Sequence, residues 1–195
     1  MSVIFGLKID DTIILAGDKR GSTESGQLLT DELHKVIPIN KALCIATAGN
    51  HAIEQAILSD LHKKENLEKL CIEDILDTIH EFYIRVATTG VTSIGMLPFS
   101  FIVAGARRNG APDLVAGQNK KGLIDYKSVP AILFHPSDCS AERCNTILAS
   151  NLRFNRSMFI EQTILDIAKI SKVVSATGDK WIYNVEAKEG VLSSF

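Results

Sequence analysis

Apolar residues come in short blocks near both ends and in the middle of the chain, and recur at helical spacing between those blocks. Residues 3–9 and 12–17 are rich in Val, Ile and Leu, which predicts two strands, and Asp10-Asp11 between them predicts a tight two-residue hairpin turn. Residues 21–32 carry two glycines and several hydroxyls and read as a loop. A short strand is predicted over residues 36–39. The near-continuous apolar run at 42–48 predicts a strand buried on both faces. Gly49-Asn50 ends that run, and Asn50 suits the N-cap of a helix whose inward face is Ala52, Ile53, Ala56, Ile57 and Leu61.

After a polar connection at 63–66, a second helix is predicted from near Ile72 to residues 88–90. Acids in its first turn complement the helix dipole, and Ile72, Ile75, Leu76, Ile79, Phe82, Tyr83 and Val86 form its apolar face. Residues 99–106 read as another buried strand, with Met96, Phe99 and Phe101 in the core, and Asn109-Gly110 is a turn signal. Strands are predicted at 113–117, 122–126 and 129–134. Two helices follow: Ala141, Cys144, Ile147, Leu148 and Leu152 line the first, and Ser157 is the expected cap of the second. Strands at 181–185 and 190–193 close the chain. Helix pairs set between blocks of antiparallel strands predict two stacked sheets with helices outside, in one domain over residues 1–195.

A chain of 195 residues can bury a full core, and 46% hydrophobic with 23% charged residues is an ordinary globular composition. The formal net charge is −2 and the 21 Lys and Arg are scattered, so no electrostatic basis for binding nucleic acid or an anionic membrane is present. No apolar run approaches the roughly 20 residues of a spanning helix, and a secretory leader pattern is missing from the first residues. Cys44, Cys71, Cys139 and Cys144 form no C-x-x-C pair and read as buried thiols of a reducing cytoplasm. The five histidines lack zinc-binding spacing, and no metal or organic cofactor is expected. Taken singly, Asp18 reads as a turn residue, Lys35 as a solvated lysine and Ser2 as the residue behind an initiator Met; His34, His51 and His135 read as structural.

Their joint spacing says more. Strand, tight turn and strand lead into Ala16-Gly17-Asp18-x-Arg20; His34-Lys35-Val36 follows, then Ala48-Gly49 after the buried strand, and Gly105 with Asn109-Gly110 in the central strand and turn. In these residues the chain resembles the β-type proteasome fold of the N-terminal nucleophile (Ntn) hydrolases, near HslV and the small bacterial proteasome homologues. The resemblance spans the chain and is strongest over its first third. It implies an α+β fold, a four-layer αββα sandwich, and a threonine-protease-type hydrolase that cleaves peptide bonds.

The resemblance also implies roles. Ser2 would be the nucleophile, exposed by removal of Met1, with its own α-amine as base. Serine in place of threonine keeps the hydroxyl and loses the methyl that restricts its rotamer. Lys35 would favour hydroxyl deprotonation, Asp18 would hold Lys35, and the Gly49 amide would donate to the oxyanion. Ser137, with Ser140 as second choice, would replace a serine that the family carries in a Gly-Ser-Gly. The family's late aspartate and serine fall on Val173 and Ala176, which cannot act in their place. A peptide or unfolded protein would add as a strand along Gly21-Ser22 and residues 47–49. Gly21, Leu33, Ile37, Thr47, His51 and Gln55 match the walls of the S1 pocket. Implied partners are further copies in a homo-oligomeric ring and a hexameric AAA+ ATPase. An inactive structural subunit and a small-molecule amidase on the same fold are the alternatives.

Overall fold

The computed structural model describes residues 2–23, 25–89, 96–120 and 122–195. Strands β1 (Ile4–Ile9) and β2 (Thr12–Asp18) form the expected hairpin, with Ile9 opposite Thr12. Asp10 turns the chain at φ 50°, a left-handed conformation that aspartate tolerates. This hairpin lies inside an antiparallel sheet ordered β10 (Ala131–Phe134), β1, β2, β11 (Gly178–Asn184) and β12 (Glu189–Ser194). The second sheet runs β5 (Val36–Asn40), β6 (Leu43–Gly49), β7 (Phe99–Ala106), β8 (Pro112–Lys120) and β9 (Leu123–Ser128).

Strand periodicity explains the layers. In β1, Phe5 and Leu7 face outward onto helices α3 (Ala141–Phe154) and α4 (Phe159–Ala168), with Cys144, Leu148, Ile160 and Ile164. Ile4 faces the other sheet, among Leu15, Val36, Ile102, Leu114 and Trp181. Both faces of the central strands are buried, so their sequences read as continuous apolar runs rather than alternation. On the far side, α1 (His51–His62) and α2 (Ile72–Thr88) cover the second sheet through Ile53, Ile57, Ile75, Ile79 and Phe82 against Phe101 and Val103. The result is an α+β sandwich of four layers, helices outside and two sheets within.

Met96, expected in the core, and Ala52, expected on the inward face of α1, are both exposed, because each lies outside the stretch that the sheet and its helices cover. Three further expectations need correction. Residues 21–32 are not all loop: β3 (Gly21–Ser22) and β4 (Leu28–Thr30) pair as a short ribbon, closed by Thr23 N–H to the Gln27 carbonyl at 2.9 Å. So brief a pairing buries no apolar face and leaves no periodicity to read. The strand expected at 129–134 starts at Ala131, because the chain changes sheets just before it. Val129 N–H still bonds to Leu114 in the second sheet, while the Pro130 carbonyl accepts from Lys8 in the first. Lastly, α4 is capped at Met158 without a side-chain bond, and Ser157 lies in the preceding turn. Asn50 does cap α1, accepting from Ala52 and Ile53 N–H. Of the residues expected to end α2, Gly90 lies outside the described residues.

The four cysteines carry free thiols, with Cys139 and Cys144 sulfurs 3.3 Å apart. Among the described residues no helix is long and apolar enough to cross a membrane, and no group of three or more His, Cys, Asp or Glu could hold a metal ion.

Candidate active site

Asp18 ends β2 with its side chain wholly out of solvent. Its oxygens accept only from donors. Oδ1 takes Val3 N–H at 3.0 Å and Lys35 Nζ at 2.8 Å; Oδ2 takes Arg20 N–H at 2.8 Å and Ser175 N–H at 3.2 Å. Val3 is tied back a second time, its carbonyl accepting from Asp18 N–H at 3.2 Å. The acid thus fixes the residue next to Ser2 from both sides.

Lys35 precedes β5 and is 3% exposed, far from the solvated lysine its sequence context suggests. Its ammonium also donates to the Arg20 carbonyl at 2.6 Å, the same oxygen that accepts from Ser2 Oγ at 3.3 Å. The hydroxyl and the ammonium therefore converge on one acceptor. Arg20 is held in turn by a two-pronged bond to Asp31, at 2.7 and 3.0 Å, and by its donation to the Lys172 carbonyl. Burial pushes the Lys35 pKa below its ordinary 10.5, and the adjacent Asp18 carboxylate partly restores it. The folded chain therefore sheds this proton before the unfolded chain does. Lys35 favours folding more as pH rises toward 10.5, and that contribution is lost as pH falls through the folded pKa.

Ser2 stands between two cavities. The larger, about 470 Å³, is lined by Gly21, Ser22, Thr47, Gly49 and His51 among others, and Lys35 forms part of its wall. The smaller, about 200 Å³, is bounded by Ala48, Phe99, Phe134 and His135. Gly49 is positioned by necessity: its φ is +117°, and a Cβ there would stand 2.2 Å from the Pro98 carbonyl oxygen. Gly49→Ala is accordingly expected to cost about 2 kcal/mol and lower the melting temperature by about 4–8 °C in a thermal denaturation scan.

A family model described as Proteasome subunit matches residues 2–118, from before β1 into β8. The chain belongs to the proteasome subunit family. Comparison with curated proteins finds no match. Around the Arg20 carbonyl the fold gathers Ser2, Lys35 and, behind the lysine, Asp18, and Gly21, Ser22, Thr47, Gly49 and His51 share one cavity wall with Ser2.

Other positions in this proteasome-family chain behave differently. Ser137 is exposed on the segment between β10 and α3, where Asp138 bonds Ser171 Oγ at 2.7 Å and Lys172 N–H at 2.8 Å. Val173 is buried in the apolar layer under α3 and α4, and Ala176 is exposed. Between them Ser175 reaches the site: besides its N–H on Asp18, its Oγ accepts from Lys19 N–H at 3.0 Å and donates to the Thr177 carbonyl at 2.8 Å. Sequence reasoning passed over Ser175, since only its backbone touches the acid. It also missed Glu54, a cavity-wall carboxylate 5% exposed. One signal was available: Glu54 occupies the first position of the stripe Glu54, Ile57, Leu58, Leu61, all buried on α1.

Proposed function

We propose that this proteasome-family chain is an Ntn peptidase in which Ser2, freed of Met1, attacks the peptide carbonyl. The observation that carries the reading is the convergence of Ser2 Oγ and Lys35 Nζ on the Arg20 carbonyl, with Asp18 holding the lysine from behind. The α-amine of Ser2 takes the hydroxyl proton as Oγ bonds to the carbonyl carbon. The Lys35 ammonium lowers the cost of the developing alkoxide, and the Gly49 N–H receives the oxyanion. Collapse breaks the C–N bond, the leaving amine takes the proton back, and water then cleaves the acyl ester by the same route. The substrate strand lies along β3, whose only strand partner among the described residues is β4, and along residues 47–49. Phe134 and His135 bound the smaller cavity beside Ser2, and to Ser137, two residues further on, this reading gives the support of the amine.

The wider reading places the chain with HslV and the small bacterial homologues: one cytoplasmic domain, closed into a homo-oligomeric ring and supplied with unfolded protein by an AAA+ ATPase. A sizing measurement that returns a monomer sinks the ring. A second reading, an inactive structural subunit, is favoured by one observation: Val173 is buried in the apolar layer at the position matched to the family's aspartate.

Intact mass of the purified chain and labelling by a β-lactone probe decide between them. The expected result is loss of Met1 and one adduct, mapped to the peptide that begins at Ser2. A trimmed chain that stays unlabelled supports the structural subunit, and retained Met1 removes the amine on which the mechanism depends.

A further inference from the structure

The mechanism leaves one buried acid in the larger cavity unused. Glu54 projects from the inward face of α1, and its neighbours hold it as a carboxylate would be held. Thr47 Oγ1 donates to Oε2, His51 Nδ1 lies 2.9 Å from Oε1, and Gln55 Nε2 donates to Oε1 at 3.4 Å. Among the described residues no Lys or Arg comes within ion-pair distance of it, and His51 is its one ionic neighbour. Lys35 is near enough to feel its charge, but that ammonium is committed to Asp18 and the Arg20 carbonyl. The cavity wall therefore carries one buried carboxylate, Glu54, and one buried ammonium, Lys35, which is already paired with Asp18 outside that wall.

We propose that Glu54 makes this cavity a receptor for a basic side chain, the Lys or Arg of a peptide whose carbonyl Ser2 attacks. The inference rests on the peptidase reading and names its substrate class. A buried carboxylate without a full cationic partner is costly, and an entering ammonium or guanidinium relieves that cost with a charge-assisted bond. The rest of the wall suits the same guest. Leu29 and Leu33 offer apolar surface to a methylene stem, while Gly21, Ala48 and Gly49 leave the width open. A leucine would bury Glu54 further and return nothing to it. A glutamate would meet a like charge.

The test is a set of fluorogenic peptides that differ only in the residue before the scissile bond: Arg, Lys, Leu or Glu. With the full-length trimmed chain, kcat/KM for Arg and Lys is expected to exceed that for Leu by about tenfold or more and that for Glu by about a hundredfold. In Glu54→Gln, which keeps the shape and the Thr47 contact, the Arg-to-Leu ratio is expected to fall about tenfold. A wild-type preference for Leu or Glu overturns the proposal. So does a Glu54→Gln variant that slows all four peptides equally, because an effect through Lys35 would do that. The wild-type panel needs no variant to fold. Binding of non-cleavable peptides ending in arginine amide or leucine amide is measured by calorimetry on Ser2→Ala. An Arg preference there without turnover in the parent chain sinks the peptidase reading and keeps the receptor; equal binding of both amides sinks the receptor.

Discussion

Lys35→Met is expected to slow probe labelling of Ser2 by at least about a thousandfold, close to the blank set by Ser2→Ala. Methionine fills much of the lysine's volume, so packing around β5 survives better than with alanine. What disappears is the ammonium in contact with the carbonyl that accepts from Ser2 Oγ. Lys35→Arg separates charge from shape: it restores a cation but not a compact ammonium that fits between Asp18 Oδ1 and the Arg20 carbonyl, so recovery is partial. The pH profile gives an independent readout. Burial depresses the Lys35 pKa, so the alkaline limb of kcat/KM should lie below 10.5 in the parent chain and move upward in Lys35→Arg. Labelling of Lys35→Met at the parental rate would remove Lys35 from the mechanism.

Asp18→Asn is the second large effect, and it is read in stability. Four donors, Val3 N–H, Lys35 Nζ, Arg20 N–H and Ser175 N–H, point at two oxygens. An asparagine has one oxygen and an amide that only donates. In either flip two donors are satisfied and two face an NH2 group, in a position with no access to water. Lys35 also loses its counter-charge. The expected cost is about 3–5 kcal/mol, which in a chain of this size lowers the melting temperature by about 10 °C. Circular dichroism or calorimetry measures it, and a midpoint within about 2 °C of the parent would show that the cluster is not what fastens β1 to β2.

The two effects show which parts of the molecule were readable from residues alone. The β1–β2 hairpin, the buried run of β6 and the apolar faces of α1 and α2 were legible because each depends on neighbours a few positions away. Asp18 and Lys35 were legible only as a pair at a characteristic spacing; singly, the lysine looked solvated, and it is buried. Where the chain leaves one sheet for the other at Val129-Pro130, local pattern has nothing to report, since both sides of the crossing are strand-like. Ser175 contributes a backbone N–H, which every residue but proline has, so its identity is silent about its contact with Asp18. Glu54 is a different failure. A charge within an apolar helical stripe is a visible anomaly, yet an acid in a first helical turn also complements the dipole, so the residue alone does not say that it is buried.

Chain ends are ordinarily where a fold comes loose first, detaching a few residues at a time while the interior stays closed. Here only Val3 separates the second residue from a strand that has neighbours on both sides, β10 and β2. Ser2 therefore has little length in which to fray, since Val3 is bonded to Asp18 on both sides. To lose its place, the chain must break β1 out of the middle of its sheet, which dismantles the layers above and below. The candidate site inherits the cooperativity of the whole fold, and heat should disperse it and unfold the chain in a single transition.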